Sequence, residues 1–85
     1  MKFKVSVKIN KQGTISVKIN GLLHFAALQP LSSIVSYKEF VNGNWLYKTD
    51  IFCGKSCTTL VYDSFRKWQK VLNKIEIAFH NYQNQ

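Results

Sequence analysis

The chain has 85 residues, with 12 Lys or Arg against 4 Asp or Glu, giving a formal charge of +8. A hydrophobic fraction of 46%, with 14% aromatics, is too apolar for a disordered chain, and no apolar run approaches the ~18 residues of a membrane span. One small, strongly basic domain remains, with a core thin enough that dimerisation would help it.

The first segment alternates strictly. Phe3, Val5, Val7 and Ile9 face one way, and Lys2, Lys4, Ser6 and Lys8 the other. Period two predicts a strand buried on one face. This start has no continuous apolar stretch and no small-residue cleavage site, so it does not read as a signal peptide. The expected location is the cytoplasm, or the nucleoid or nucleus, and not outside the cell. Asn10-Lys11-Gln12-Gly13 supplies turn chemistry. Ile15, Val17 and Ile19 then alternate with Thr14, Ser16 and Lys18 to give a second strand. Asn20-Gly21 is the preferred pair for a two-residue type I′ hairpin, which makes residues 22–26 a third strand. With no bulge, Val17 lies opposite His24 and Ile15 opposite Ala26. Phe25 then sits on the outer face beside the lysines; a bulge would reverse that assignment.

Residues 27–33, with the only proline, Pro30, read as a connection. Residues 34–41 form the next strand and Asn42-Gly43-Asn44 its turn. Residues 45–52 return antiparallel. A loop of Asn42-Gly43 pairs Phe40 with Trp45, Lys38 with Tyr47 and Tyr37 with Lys48. Residues 53–57 are a short connector. Beyond it Val61, Phe65, Trp68, Leu72, Ile75, Phe79 and Tyr82 recur at spacings of three and four, one apolar helical stripe. Asp63 or Ser64 is the expected N-cap. The sum is an α+β domain: an antiparallel sheet of four to five strands in two hairpin units, then one long C-terminal helix, about residues 62–82, packed on one face.

Catalytic patterns are missing. His24 and His80, Cys53 and Cys57, and the acids Glu39, Asp50, Asp63 and Glu76 form no H-E-x-x-H, nucleophile elbow or paired carboxylates. Cys53-x-x-x-Cys57 lacks the second ligand pair of a structural zinc site. Gly54-Lys55-Ser56 lacks the upstream glycine of a phosphate-binding loop. The sequence therefore predicts a protein without enzymatic activity, cofactor or metal.

The basic excess favours polyanions, nucleic acid before anionic lipid. It is almost all lysine, Arg66 being the single arginine. Lysine suits phosphate, whereas arginine dominates bidentate base reading. Binding led by the nucleic-acid backbone, with little sequence specificity, is expected. The candidate surface is the lysine-rich sheet face: Lys2, Lys4, Lys8 and Lys18 beside Phe25, extended by Tyr37, Lys38, Trp45, Tyr47 and Lys48, with Lys55 in the loop before the helix. Cations tracking phosphates beside aromatic faces that stack bases describe a single-strand-binding surface. Trp68 belongs to the core; Trp45 and Tyr47 suit core and surface equally.

The order of elements resembles the single-stranded-DNA-binding coactivators typified by eukaryotic positive cofactor four, and the related Whirly and PUR folds. The likeness lies in residues 5–19, similar to that family's opening hairpin. It lies also in Gly43-Asn44-Trp45 through Gly54-Lys55 to Asp63-Ser64-Phe65-Arg66-Lys67-Trp68, similar to its last strands running into a helix. The resemblance implies homodimers holding DNA or RNA single strands on β-ribbons, and it nominates Lys8, Lys18, Trp45 and Lys55. The family's Pro-Gly-basic-Lys-Gly segment is not present, and residues 22–33 intervene after the second strand. Two other classes compete. One is a phage- or plasmid-type interaction module or inhibitor that binds an acidic protein. The other is a small nuclease using His24.

Overall fold

Two turns lay out most of the architecture. In the computed structural model, which describes residues 2–85, Asn20-Gly21 has φ values of 53° and 81°, and Asn42-Gly43 has 50° and 81°. Both are left-handed pairs, the type I′ geometry whose twist matches antiparallel strands. The first turn joins β2 (Ile15–Ile19) to β3 (Leu22–Ala26), and β1 (Val5–Ile9) completes a three-stranded sheet in the order β1-β2-β3. The second joins β4 (Leu31–Val41) to β5 (Asn44–Cys53), and β6 (Ser56–Tyr62) completes a second sheet, β4-β5-β6. All pairings are antiparallel. Helix α1 (Phe65–Gln83) packs mainly over β1 and reaches β5 and β6.

The α+β class and the single C-terminal helix match the sequence reading; the sheet does not. There are six strands in two separate sheets rather than four or five in one. The missed strand is β6. Its residues were expected to form a connector and the first helical turn. In the structure Thr58, Leu60 and Tyr62 face inward while Cys57, Thr59 and Val61 face outward, a period of two. Val61, four residues before Phe65, only mimics a helical spacing. The strand ends at Tyr62, and Ser64 caps the helix, its Oγ accepting the Lys67 N–H at 3.3 Å.

The core gathers Val5, Ile15 and Val17 from the first sheet, Leu31, Ile51, Cys53 and Leu60 from the second, and Val71 and Ile75 from α1. Val71, outside the expected stripe, is buried, whereas Phe65, inside it, is 48% exposed. Gly13 marks where the parts meet. Its φ is +86°, and a Cβ there would lie 2.7 Å from Tyr82 Oη and 3.3 Å from Pro30 Cβ. Its carbonyl accepts the Leu31 N–H at 2.9 Å. Only glycine satisfies both the backbone and the space. Among the described residues no helix is long and apolar enough to cross a membrane.

Cys53 and Cys57 are both free and lie on opposite faces of the second sheet. Burial pushes the Cys53 thiol up from its ordinary value, and Cys57 is exposed. A thiol reagent should therefore modify Cys57 in the native protein and reach Cys53 only on unfolding, as mass spectrometry of each peptide would show. Ile75→Ala should lower stability by ~2–5 kcal/mol in denaturant titrations, the cost of a cavity in a packed core.

Candidate nucleic-acid interface

Of the four lysines expected on one sheet face, Lys2 and Lys4 precede β1, and Lys8 and Lys18 lie where alternation places them. Lys8 and Lys18 are exposed on the outer face, opposite Ser16 and Ser6. Phe25 is not with them. The β2–β3 pairing slips between Val17 and Lys18, so Lys18 faces Leu23 and Val17 faces Phe25. The bulge takes up His24 as an extra residue and inverts the parity beyond it. Phe25 therefore lies half-buried against the core. His24, expected opposite Val17, is exposed, with Nε2 3.1 Å from Tyr62 Oη.

Tyr37 and Lys48 lie on the outer face of the second sheet among polar partners. Tyr37 Oη donates to Asp50 Oδ1 at 3.2 Å, and Thr59 Oγ1 donates to the same oxygen at 2.6 Å. Lys48 Nζ pairs with Glu39 Oε1 at 3.2 Å, the one ion pair among the described residues. Lys55 sits in the turn between β5 and β6, where its backbone N–H donates to Gln29 Oε1. These three candidates are dispersed or engaged.

The aromatics gather on the inner face of the second sheet instead. Trp68 Nε1 donates to Thr49 Oγ1 at 2.9 Å, which pins the indole to a buried hydroxyl on β5. Tyr47, two residues along the same face, packs against Trp68 at 5.4 Å and Phe65 at 5.5 Å between ring centroids. Two residues further, Trp45 meets Phe40 edge-on at 5.0 Å, and Lys38 Nζ lies 4.6 Å from the Trp45 centroid. Phe40 is 59% exposed, Trp45 46% and Phe65 48%, so ring surface is open to stacking.

A lysine cluster lies on the other flank of α1 from this row. Lys2, Phe3, Lys4 and Lys70 line a shallow depression, and Lys67 Nζ lies 5.6 Å from the Phe3 ring. Phe65 and Trp68 serve the aromatic row while Lys67 and Lys70 serve the lysines. The first two turns of α1 thus join the two groups. Residues 1–38 contain no Asp or Glu, so no acid from the first sheet offsets this charge. Sequence reasoning missed Phe40, Phe65, Lys67 and Lys70 as site residues. The i, i+3 spacing of Phe65 with Trp68 and of Lys67 with Lys70 is the signal that carries two of these groups.

No group of three or more His, Cys, Asp or Glu side chains comes together among the described residues. The surface offers cations and ring faces, with one acid, Asp63, lining a depression beside Trp45 and Tyr47. No family model, curated protein or solved structure matches the chain.

Burial pushes the Tyr62 phenol up to about 12 from an ordinary 10.0. The fold thus favours the neutral phenol. This contribution to stability is complete below about pH 10 and is lost as pH rises through about 12. Denaturant midpoints should fall across that window, and Tyr62→Phe should flatten the fall.

Proposed function

We propose that the protein binds single-stranded nucleic acid without catalysis, along a track running from the β4–β5 hairpin tip over the start of α1. The observation that carries this reading is the pairing of two groups across the start of α1: exposed Phe40, Trp45 and Phe65 toward one flank of the helix, and Lys67, Lys70, Lys2 and Lys4 on the other. Single strands expose both phosphates and base faces. A surface pairing lysines with open rings engages both, whereas a duplex hides its base faces in the stack. Lys38 over Trp45 adds a cation beside one of the open rings.

The outer face of the first sheet, with Lys8 and Lys18 but without Phe25, contributes long-range attraction rather than base contact. Tyr37 and Lys48 have no part in the track, because their polar groups are held by Asp50 and Glu39. Lysine-led binding follows the phosphate chain and carries little sequence information. DNA and RNA single strands are both suitable ligands.

A fluorescent oligonucleotide titrated at several salt concentrations tests this directly. Affinity should fall steeply with salt. If Lys2, Lys4, Lys67 and Lys70 each contact a phosphate, changing all four to Gln should flatten the log–log slope by about 3, at ~0.7 per single-strand contact. Trp45→Ala should weaken single-strand binding by ~1–3 kcal/mol, leaving duplex binding nearly unchanged. Equal affinity for single strand, duplex and poly-glutamate would sink the reading in favour of general charge attraction.

A further inference from the structure

β4 is an edge strand of 11 residues, paired with β5 on one side only. The two-residue Asn42-Gly43 loop makes Val41 and Asn44 a hydrogen-bonded pair. Alternate residues Glu39, Tyr37 and Val35 therefore direct their N–H and C=O groups at β5. Those of Phe40, Lys38, Ser36 and Ile34 point to the open edge. Proteins usually block such an edge with proline, a bulge or an unpaired charge. Pro30 precedes the strand, and its one irregularity lies between Leu31 and Ser33. From Ser33 to Val41 the pairing is regular, and the two charges there are occupied within the chain. Lys38 lies over Trp45, and Glu39 pairs with Lys48.

We infer that this stretch of β4 pairs antiparallel with the same stretch of a second copy, about a two-fold axis perpendicular to the sheet and passing through Tyr37. Such an axis keeps each face on its own side, so only residues of the same parity can stand opposite. Full overlap of the regular segment puts its midpoint, Tyr37, on the axis. Charge selects the same alignment. An axis at Lys38 would set two lysines opposite each other, and one at Glu39 two glutamates. An axis at Ser36 would set Val41 against the partner's Leu31, beyond the regular segment. With the axis at Tyr37, Ser36 meets the partner's Lys38, and Ile34 meets the partner's Phe40. Phe40, 59% exposed in one chain, thereby gains an apolar neighbour. Two three-stranded sheets become one of six strands.

In this alignment Tyr37 faces its counterpart as a non-hydrogen-bonded pair, with Cα atoms about 4.5 Å apart, a distance a disulfide accepts. The test uses the full chain without nucleic acid, in a Cys57→Ser background that removes the exposed thiol. Mild oxidation of Tyr37→Cys should give a covalent dimer on non-reducing gels. Glu39→Cys, whose counterpart would lie ~13 Å away, should not. Sedimentation equilibrium should show the unmodified chain dimerising with concentration. Ser36→Pro removes an N–H that points away from β5, and it should abolish the dimer with circular dichroism unchanged. A monomer at every concentration, a dimer that survives Ser36→Pro, or Tyr37→Cys crosslinking no faster than Glu39→Cys would each overturn the inference. None of these measurements depends on nucleic-acid binding.

Discussion

The two sheets share no strand pairing; apart from the Leu31–Gly13 backbone bond they meet through side chains. Ile15 and Val17 from β2, Ile51 from β5 and Val71 and Ile75 from α1 are each at most 1% exposed, and they form the one place where all three layers touch. A three-stranded sheet needs an apolar face covered before it is stable alone. Neither sheet here can cover itself. Burying each of these side chains contributes ~1.5–3 kcal/mol, and α1 supplies two of the five. Gly13 allows the closure, since Tyr82 and Pro30 come against it where any side chain would intrude. The helix thus serves as the common wall of both sheets.

That shared wall decides which aromatics stay open. α1 lies over β1, β5 and β6, and the β4–β5 hairpin is too long to be covered along its whole length. At ~3.3 Å per residue β4 spans ~36 Å, close to the 42 Å longest dimension of the molecule. Near the core the indole N–H of half-buried Trp68 donates to the buried Thr49 hydroxyl. Further along the same face the rings of Tyr47, Trp45 and Phe40 are progressively less covered. One alternating strand face therefore changes from core to surface, and its residue types need not change for that to happen.

Charge is divided with similar sharpness. On the second sheet Glu39 and Asp50 meet Lys48, Tyr37 and Thr59, so its outer face is internally compensated. The first sheet has no acid, and α1 brings Lys67 and Lys70 to its edge beside Phe3. Seven of the 12 basic residues, Lys2, Lys4, Lys8, Lys11, Lys18, Lys67 and Lys70, thereby lie on the first sheet and at its junction with α1. A field focused on one region steers a polyanion more effectively than the same charge spread evenly.

Local chemistry alone determined the Asn20-Gly21 type I′ turn, the inward sets Val5-Val7-Ile9 and Ile15-Val17-Ile19, and a capped helix start at Asp63 or Ser64; it placed the second turn at Asn42-Gly43-Asn44, and pairing of Phe40 with Trp45 depended on that loop having two residues. Each depends on residues close in sequence: a left-handed Asn-Gly pair, a period of two, a serine ahead of a helical stripe. Three features were settled by tertiary structure. The His24 bulge, which turns Phe25 inward, leaves the composition of either strand unchanged. β6 was hidden because Val61 falls at a helical spacing from Phe65, and pairing with β5 overrides that spacing. The division into two sheets, and with it the grouping of Lys2, Lys4, Lys67 and Lys70, comes from α1 docking across the shared core. That is a contact between residues more than 60 positions apart, which no local pattern encodes.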